Sequence, residues 1–212
     1  MANMEDVLEV YHRPYDPTIP QICMDEQPVQ LIKETRVPLP GAPGKPERYD
    51  YEYERNGTAS IFMFSQPVVG WRRVSVRDHK TAIDWAEEIR ILLEEDFPDE
   101  AKIALVCDNL NTHTLASLYK AFAPVKARSL AERLEIHFTP KHGSWLNMAE
   151  IELSVLTNQC LDRRIPDLQT LIQETQAWQH HRNTGNKTID WHFKTEDARI
   201  KLKRLYPQIK ES

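Results

Sequence analysis

The sequence predicts an α/β protein: a mixed five-stranded sheet flanked by helices, with a C-terminal helical extension. Three observations predict it. Ile103-Ala104-Leu105-Val106-Cys107 is a continuous apolar run, as expected of a strand buried on both faces. Thr81 to Glu95 places Ile83, Ala86, Ile89, Leu92 and Leu93 at the 3.6-residue spacing of an amphipathic helix with an acidic outer face. The order of segments passes from turn-linked strands to alternating helices and strands, which implies a mixed sheet covered on both faces.

The other elements follow in chain order. Gln21-Ile22-Cys23-Met24-Asp25 is a short apolar run ending in an acid, predicting a buried strand whose last residue emerges at the sheet edge. From Lys33 to Arg48 the chain carries Pro38, Pro40, Gly41, Pro43, Gly44 and Pro46, so a loop is expected there. Tyr49, Tyr51 and Tyr53 alternate with charged residues up to Asn56-Gly57, and Ile61-Phe62-Met63-Phe64 follows. An Asn-Gly between such runs predicts a hairpin turn. Val68 to Val76 supplies another strand. Thr114 to Phe122 reads as a helix stopped before Pro124, Ala127 to Arg133 as a helical turn or more, and Leu134 to Phe138 as a strand. Ser144 is expected to cap a long helix running to about Leu161. Pro166 opens a helix through Trp178, and Thr195 caps a last one ending before Pro207. This is the pattern of a ribonuclease-H-like domain at 21–162, with a loop insertion at 33–48, an N-terminal extension at 1–20 and a C-terminal helical extension at 163–212.

The chain's 212 residues suffice for one substantial core, and 41% apolar with 28% charged residues is an ordinary globular balance that excludes fibrous and disordered classes. The N-terminus has no basic start or apolar run, and no stretch approaches the roughly 20 apolar residues of a membrane span, so a cytoplasmic protein is expected. Cys23, Cys107 and Cys160 form no CxxC pair, which predicts reduced, buried thiols. His137, His142, His180 and His181 have no cysteine pair at finger spacing, which argues against a zinc module. The net charge of −5 opposes a uniformly nucleic-acid-binding surface. Acidic groups crowd residues 84–100, whereas Lys194, Arg199, Lys201, Lys203, Arg204 and Lys210 make the end of the chain basic. A polyanion is expected to avoid the first segment and to approach the second.

Two strands each deliver an aspartate, Asp25 and Asp108, at the edge where ligands gather in open α/β sheets. Neighbouring carboxylates repel, so convergence of the two favours a bound Mg²⁺ or Mn²⁺; as isolated residues, each is equally a common turn residue. On the helix near Ser144, Asn147, Ser154, Thr157 and Asn158 fall within about 80° of Glu150, whereas Met148, Ile151 and Val155 point the other way. Glu150 thus lies in a polar stripe that contains no base, and Glu152 projects nearly opposite.

Cys23-Met24-Asp25-Glu26, then Cys107-Asp108-Asn109-Leu110-Asn111-Thr112-His113, then Thr139-Pro140-Lys141-His142-Gly143-Ser144-Trp145-Leu146-Asn147-Met148-Ala149-Glu150 resembles, in order, the three acidic motifs of mariner-like bacterial insertion-sequence transposases of the DDE superfamily. Trp191-His192-Phe193-Lys194-Thr195-Glu196-Asp197-Ala198-Arg199 is similar to the closing segment of such enzymes. The resemblance implies Asp25, Asp108 and Glu150 as catalytic, metal-binding carboxylates holding two Mg²⁺ (or Mn²⁺) ions, with Asp25 bridging both. It implies nicking of double-stranded DNA at transposon ends and strand transfer to target DNA, at TA dinucleotides. Asn109, His113 and Asn147 are expected to support the acids. Lys141, His142, Trp145, Lys194 and Arg199 are expected to contact DNA, although a core role for Trp145 is equally open. Lys33, Arg36, Lys45 and Arg48 mark the loop as a contact to a second subunit, in a homodimer formed on DNA, or to DNA itself. The 41 residues between Asp108 and Glu150 exceed the spacing in compact mariner enzymes, and only 24 precede Asp25. A catalytic fragment lacking a helix-turn-helix region is therefore expected. Two readings remain beside it: a stand-alone ribonuclease-H-like nuclease or resolvase, and a non-catalytic fragment that binds DNA or a transposase subunit.

Overall fold

The computed structural model describes residues 1–46 and 48–206. Glu47 of the loop, and Pro207, Lys210 and Glu211 of the tail, lie outside the described residues. The elements in order are α1 (Ala2–Tyr11), β1 (Gln21–Glu34), β2 (Tyr53–Gln66), β3 (Trp71–Arg77), α2 (Ala82–Ile91), β4 (Ile103–Cys107), α3 (Leu115–Ala121), α4 (Pro124–Glu132), β5 (Leu134–Phe138), α5 (Met148–Leu156), α6 (Leu168–Thr184) and α7 (Thr195–Lys201). Wider π-type turns extend α2 over Leu92–Asp96 and α5 over Thr157–Leu161. The five strands form one sheet in the order β3-β2-β1-β4-β5, antiparallel on the β1, β2 and β3 side and parallel through β4 and β5. No helix among the described residues is long and apolar enough to cross a membrane.

Strand alternation divides the core in two. On one face Ile22, Met24, Phe62, Phe64, Leu105 and Cys107 meet Trp85, Ile89 and Leu93 near α2, with Leu118 of α3 and Leu130 of α4. On the other, Cys23, Ile61, Met63 and Val106 meet α1, α5 and α6 through Leu8, Ala149, Leu153 and Leu171. The sequence shows no strong signal for α1, yet its Val7, Leu8 and Val10 are fully buried, so the segment expected as an extension belongs to the packed body.

Several expectations are corrected. Strand β1 does not end at Asp25 but runs to Glu34, and Lys33, expected in the loop, pairs with Glu54. Pro28 is tolerated inside β1 because β4 pairs only with Gln21 to Cys23, leaving one side of the later strand unpaired. Asn56-Gly57 is not a hairpin turn. It lies within β2, where the register shifts between Gln30 and Ile32, and Gly57 takes φ +87 to absorb the extra residue of a bulge. The connection between β1 and β2 is instead the proline-rich loop, whose tip closes through antiparallel bridges Leu39–Arg48 and Ala42–Lys45. Strand β3 starts at Trp71, after a turn at Gly70 (φ +72), not at Val68. The acidic face of α2 is not wholly outward: Glu88 is buried against Arg73, Ser75 and Arg77. Asn147, not Ser144, caps α5, because Ser144–Leu146 forms a separate 3-10 turn. Asp167 caps α6, which continues to Thr184. Lys194 precedes α7, with the Asp197 carboxylate accepting its backbone N–H at 3.1 Å.

Candidate active site

The alternation that builds the two cores also sorts the acids. Ile22 and Met24 enter one core and Cys23 the other, so Asp25 leaves β1 on the α5 face and Glu26 on the α2 face. In β4, Val106 shares the core of Cys23, and Asp108 follows two residues later. The parallel pairing of β1 with β4 ends at Cys23–Val106, and Asp25 and Asp108 each follow two residues beyond it. Helix α5 packs on this same face through Met148, Ala149 and Leu153.

Asn147 fastens the start of α5 to Asp25. Its side-chain oxygen accepts the Ala149 N–H at 3.1 Å, and its Nδ2 donates to the Met24 carbonyl at 2.8 Å and to Asp25 Oδ2 at 3.3 Å. Glu150 lies in the first turn of α5, its N–H bonded to the Asn147 carbonyl at 3.0 Å. Behind the turn, the Tyr11 hydroxyl donates to the Leu146 carbonyl at 2.6 Å and accepts from the Met148 N–H at 3.4 Å. Gly143 is required just before it, since a Cβ there would come within 2.4 Å of Pro140 Cγ.

The carboxylates act on one another. Burial pushes Asp25 up to about 7, aided by the negative charges of Asp108 and Glu150 and opposed by the Glu26 N–H and by His113. Among the described residues no group of three or more His, Cys, Asp or Glu side chains is arranged to hold a metal ion as it stands. Mutual repulsion opposes closer approach of the acids without a cation, and Asp25 already accepts bonds at both oxygens. The donor set nevertheless fits one: three carboxylates offer the hard oxygens that Mg²⁺ and Mn²⁺ prefer, and a dication would favour the ionised Asp25 that burial disfavours.

His113 is fully buried. Its Nδ1 meets the Asp108 carboxylate, its Nε2 lies 2.9 Å from Glu26 Oε1, and its ring stacks on Trp85 at 5.8 Å. Burial works against the imidazolium, but the bonds to Asp108, Cys107 and Glu26 outweigh it and raise His113 to about 11. Asn109 is exposed. Glu26 and Tyr11 are the contributors that the sequence reading missed. Glu26 carried one available signal, an acid directly after Asp25 in a strand and hence on the opposite face.

The residues expected to meet DNA are distributed more widely. Lys141 and His142 are exposed, and Trp145, 46% exposed, stacks on Trp191 at 6.4 Å and meets Phe193 edge-on at 5.6 Å. Trp145 is thus part of a surface aromatic group rather than the core. Lys194 is exposed, but Arg199 is held by Glu5 through bonds of 2.9 and 2.8 Å, which ties α7 to α1. In the loop, Lys45 and Arg48 are exposed and Arg36 lies 3.3 Å from Asp50. A cleft of about 760 Å³ lined by Asn158, Arg163, Glu174 and Trp178 includes none of the three acids.

The sequence model of the DDE superfamily endonuclease family matches residues 20–172. No curated protein sequence is significantly similar to the chain. Among solved structures the chain is similar to the Mos1 mariner paired end complex with Mn, at TM-score 0.56 and 15% identity, over 88% of this chain and 55% of that one. It is also similar to the Mos1 Strand Transfer Complex, at TM-score 0.57 and 13% identity, over 88% of this chain and 54% of that one. The catalytic domain of Mos1 mariner transposase aligns at TM-score 0.53 and 11% identity, over 84% of this chain and 78% of that one. The chain spans about half the length of the first two. At these identities the likeness shows a shared fold, the ribonuclease-H-like fold of a DDE transposase catalytic domain. The family match covers most of the chain and all three acids: this protein belongs to the DDE superfamily endonuclease family.

Proposed function

We propose that this chain is the catalytic domain of a DNA transposase, with Asp25, Asp108 and Glu150 as its catalytic, metal-binding residues. The observation that carries the reading is that Asn147, at the start of the helix whose first turn bears Glu150, bonds the Asp25 carboxylate and the Met24 carbonyl, while His113 bonds the Asp108 carboxylate after β4. When bound at Asp25, Asp108 and Glu150, Mg²⁺ or Mn²⁺ would supply activation of the attacking hydroxyl and stabilisation of the leaving oxygen. The chain's own residues fix the acids: Asn147 holds a carboxylate oxygen of Asp25, and His113 meets that of Asp108. The similar Mos1 structures are paired end complexes with Mn and with Mg and a strand transfer complex. They support double-stranded DNA as partner and both ions as cofactors. Lys141, His142, Trp145 and Lys194 are proposed DNA contacts, and Arg199 becomes one only if it leaves Glu5. A homodimer formed on DNA is proposed to use the loop after β1, where Arg36, Lys45 and Arg48 are exposed.

The test is incubation of the purified chain with Mg²⁺ or Mn²⁺ and a supercoiled plasmid carrying the ends of its element. Nicked, linear and strand-transfer products are expected, and Asp108→Asn should abolish all three while remaining folded. Simple nicks without transfer would favour a stand-alone nuclease. Parental cleavage by Asp108→Asn would remove that residue from the mechanism.

A further inference from the structure

We propose that Glu26 is a positioning residue for Asp108, acting through the ring of His113. The inference rests on the reading of Asp108 as a metal ligand. Glu26 leaves β1 on the face opposite Asp25 and enters the core of Met24 and Trp85 with its side chain only 2% exposed. A carboxylate in such surroundings is costly unless it is paired and hydrogen-bonded. Among the described residues its only side-chain hydrogen bond is the one from His113 at 2.9 Å, and its second oxygen is buried without one, the Lys80 ammonium standing 3.7 Å away.

His113 is the link between the two faces. Its ring is flattened on Trp85 at an interplanar angle of 24°, with one nitrogen on Glu26 and the other on Asp108. A ring bonded at both nitrogens and stacked on an indole cannot turn without breaking these contacts together. Asp108, by contrast, follows the last residue of β4, and its side chain is 34% exposed. Without a fixed partner it would sample several rotamers. The Glu26–His113 pair therefore supplies the orientation that the chain's backbone leaves open at this carboxylate, as outer partners do for ligands in metal sites.

The probe is Mn²⁺ alone, titrated into the purified chain and followed by electron paramagnetic resonance, with thermal unfolding as the check on folding. Glu26→Met keeps the volume but removes the acceptor, and it should weaken Mn²⁺ binding about tenfold or more. Glu26→Gln keeps an acceptor for His113 and should stay within about threefold of the parent. If Glu26→Met does not fold, His113→Gln carries the same test, since glutamine can meet Asp108 or Glu26 but cannot span both. A folded Glu26→Met with parental Mn²⁺ affinity would overturn the proposal, as would Glu26→Gln falling as far as Glu26→Met. If Asp108→Asn also binds Mn²⁺ like the parent, the metal-site reading itself fails, a result distinct from failure of the positioning role alone.

Discussion

Asp25 makes stability depend on pH in a direction opposite to that of a salt-bridged aspartate. Its folded-state value, about 7, lies above the ordinary 3.8, so the native state holds a proton that the unfolded chain has lost. The stability this contributes is complete below the ordinary value and disappears as pH rises through about 7. Asp25→Asn removes the cost of the ionised form, which grows by about 1.4 kcal/mol per pH unit up to the folded-state value, so it should raise stability by roughly 3 kcal/mol more near pH 8 than near pH 5. Thermal unfolding at the two pH values checks this, and an equal shift at both would show that Asp25 is not held in its raised state. At this scale the sequence was informative where spacing carries meaning. The position of Glu150 beside Asn147 and away from Glu152 follows from helical periodicity. The partners of Glu152, Arg72 at 2.7 Å and Arg182 at 3.1 Å, do not, because they come from β3 and α6.

The elements show where local signals and tertiary context diverge. Asn56-Gly57 carries a real preference for left-handed backbone, and the structure uses it at Gly57, but for a bulge inside a strand rather than a turn. The sequence alone cannot tell these apart, because the pairing of β1 with β2 across the intervening loop decides between them. Strand β1 was similarly cut short at Asp25, since the polar Asp25-Glu26-Gln27 run hides a strand held mainly by its pairing to β2. Helix α1 was missed because its apolar face is short and sits among acidic residues. Its Tyr11 hydroxyl bridges the turn before Glu150, so Tyr11→Phe should cost about 1 kcal/mol in unfolding and lower cleavage without changing metal identity. Chemical denaturation together with plasmid nicking checks the pair, and full activity at unchanged stability would show that α1 does not position the acid.

Over the whole molecule, the sheet and its helical covers were legible because Ile103 to Cys107 and the residues around α2 bury continuous apolar surface. The order of the motifs along the chain then placed two acids on adjacent strands. The loop between β1 and β2 projects with Val37 and Tyr51 almost fully exposed, which suits a surface held for another molecule more than one serving the core. Deleting residues 37–44 across a short Gly/Ser bridge should leave the unfolding temperature nearly unchanged while reducing self-association on paired DNA ends, as read by sedimentation. Unaltered assembly would make the loop a connection only.

Whether Asp25, Asp108 and Glu150 meet around divalent metal is read from a crystal structure of the chain grown with Mn²⁺, by anomalous scattering. Manganese should be held by carboxylate oxygens of all three residues, with Asn147 still on Asp25 and His113 still on Asp108. Manganese bound elsewhere, or any one of these carboxylates lying more than about 10 Å from the other two, would rule out a shared metal site, because paired ions about 4 Å apart cannot be shared over that distance.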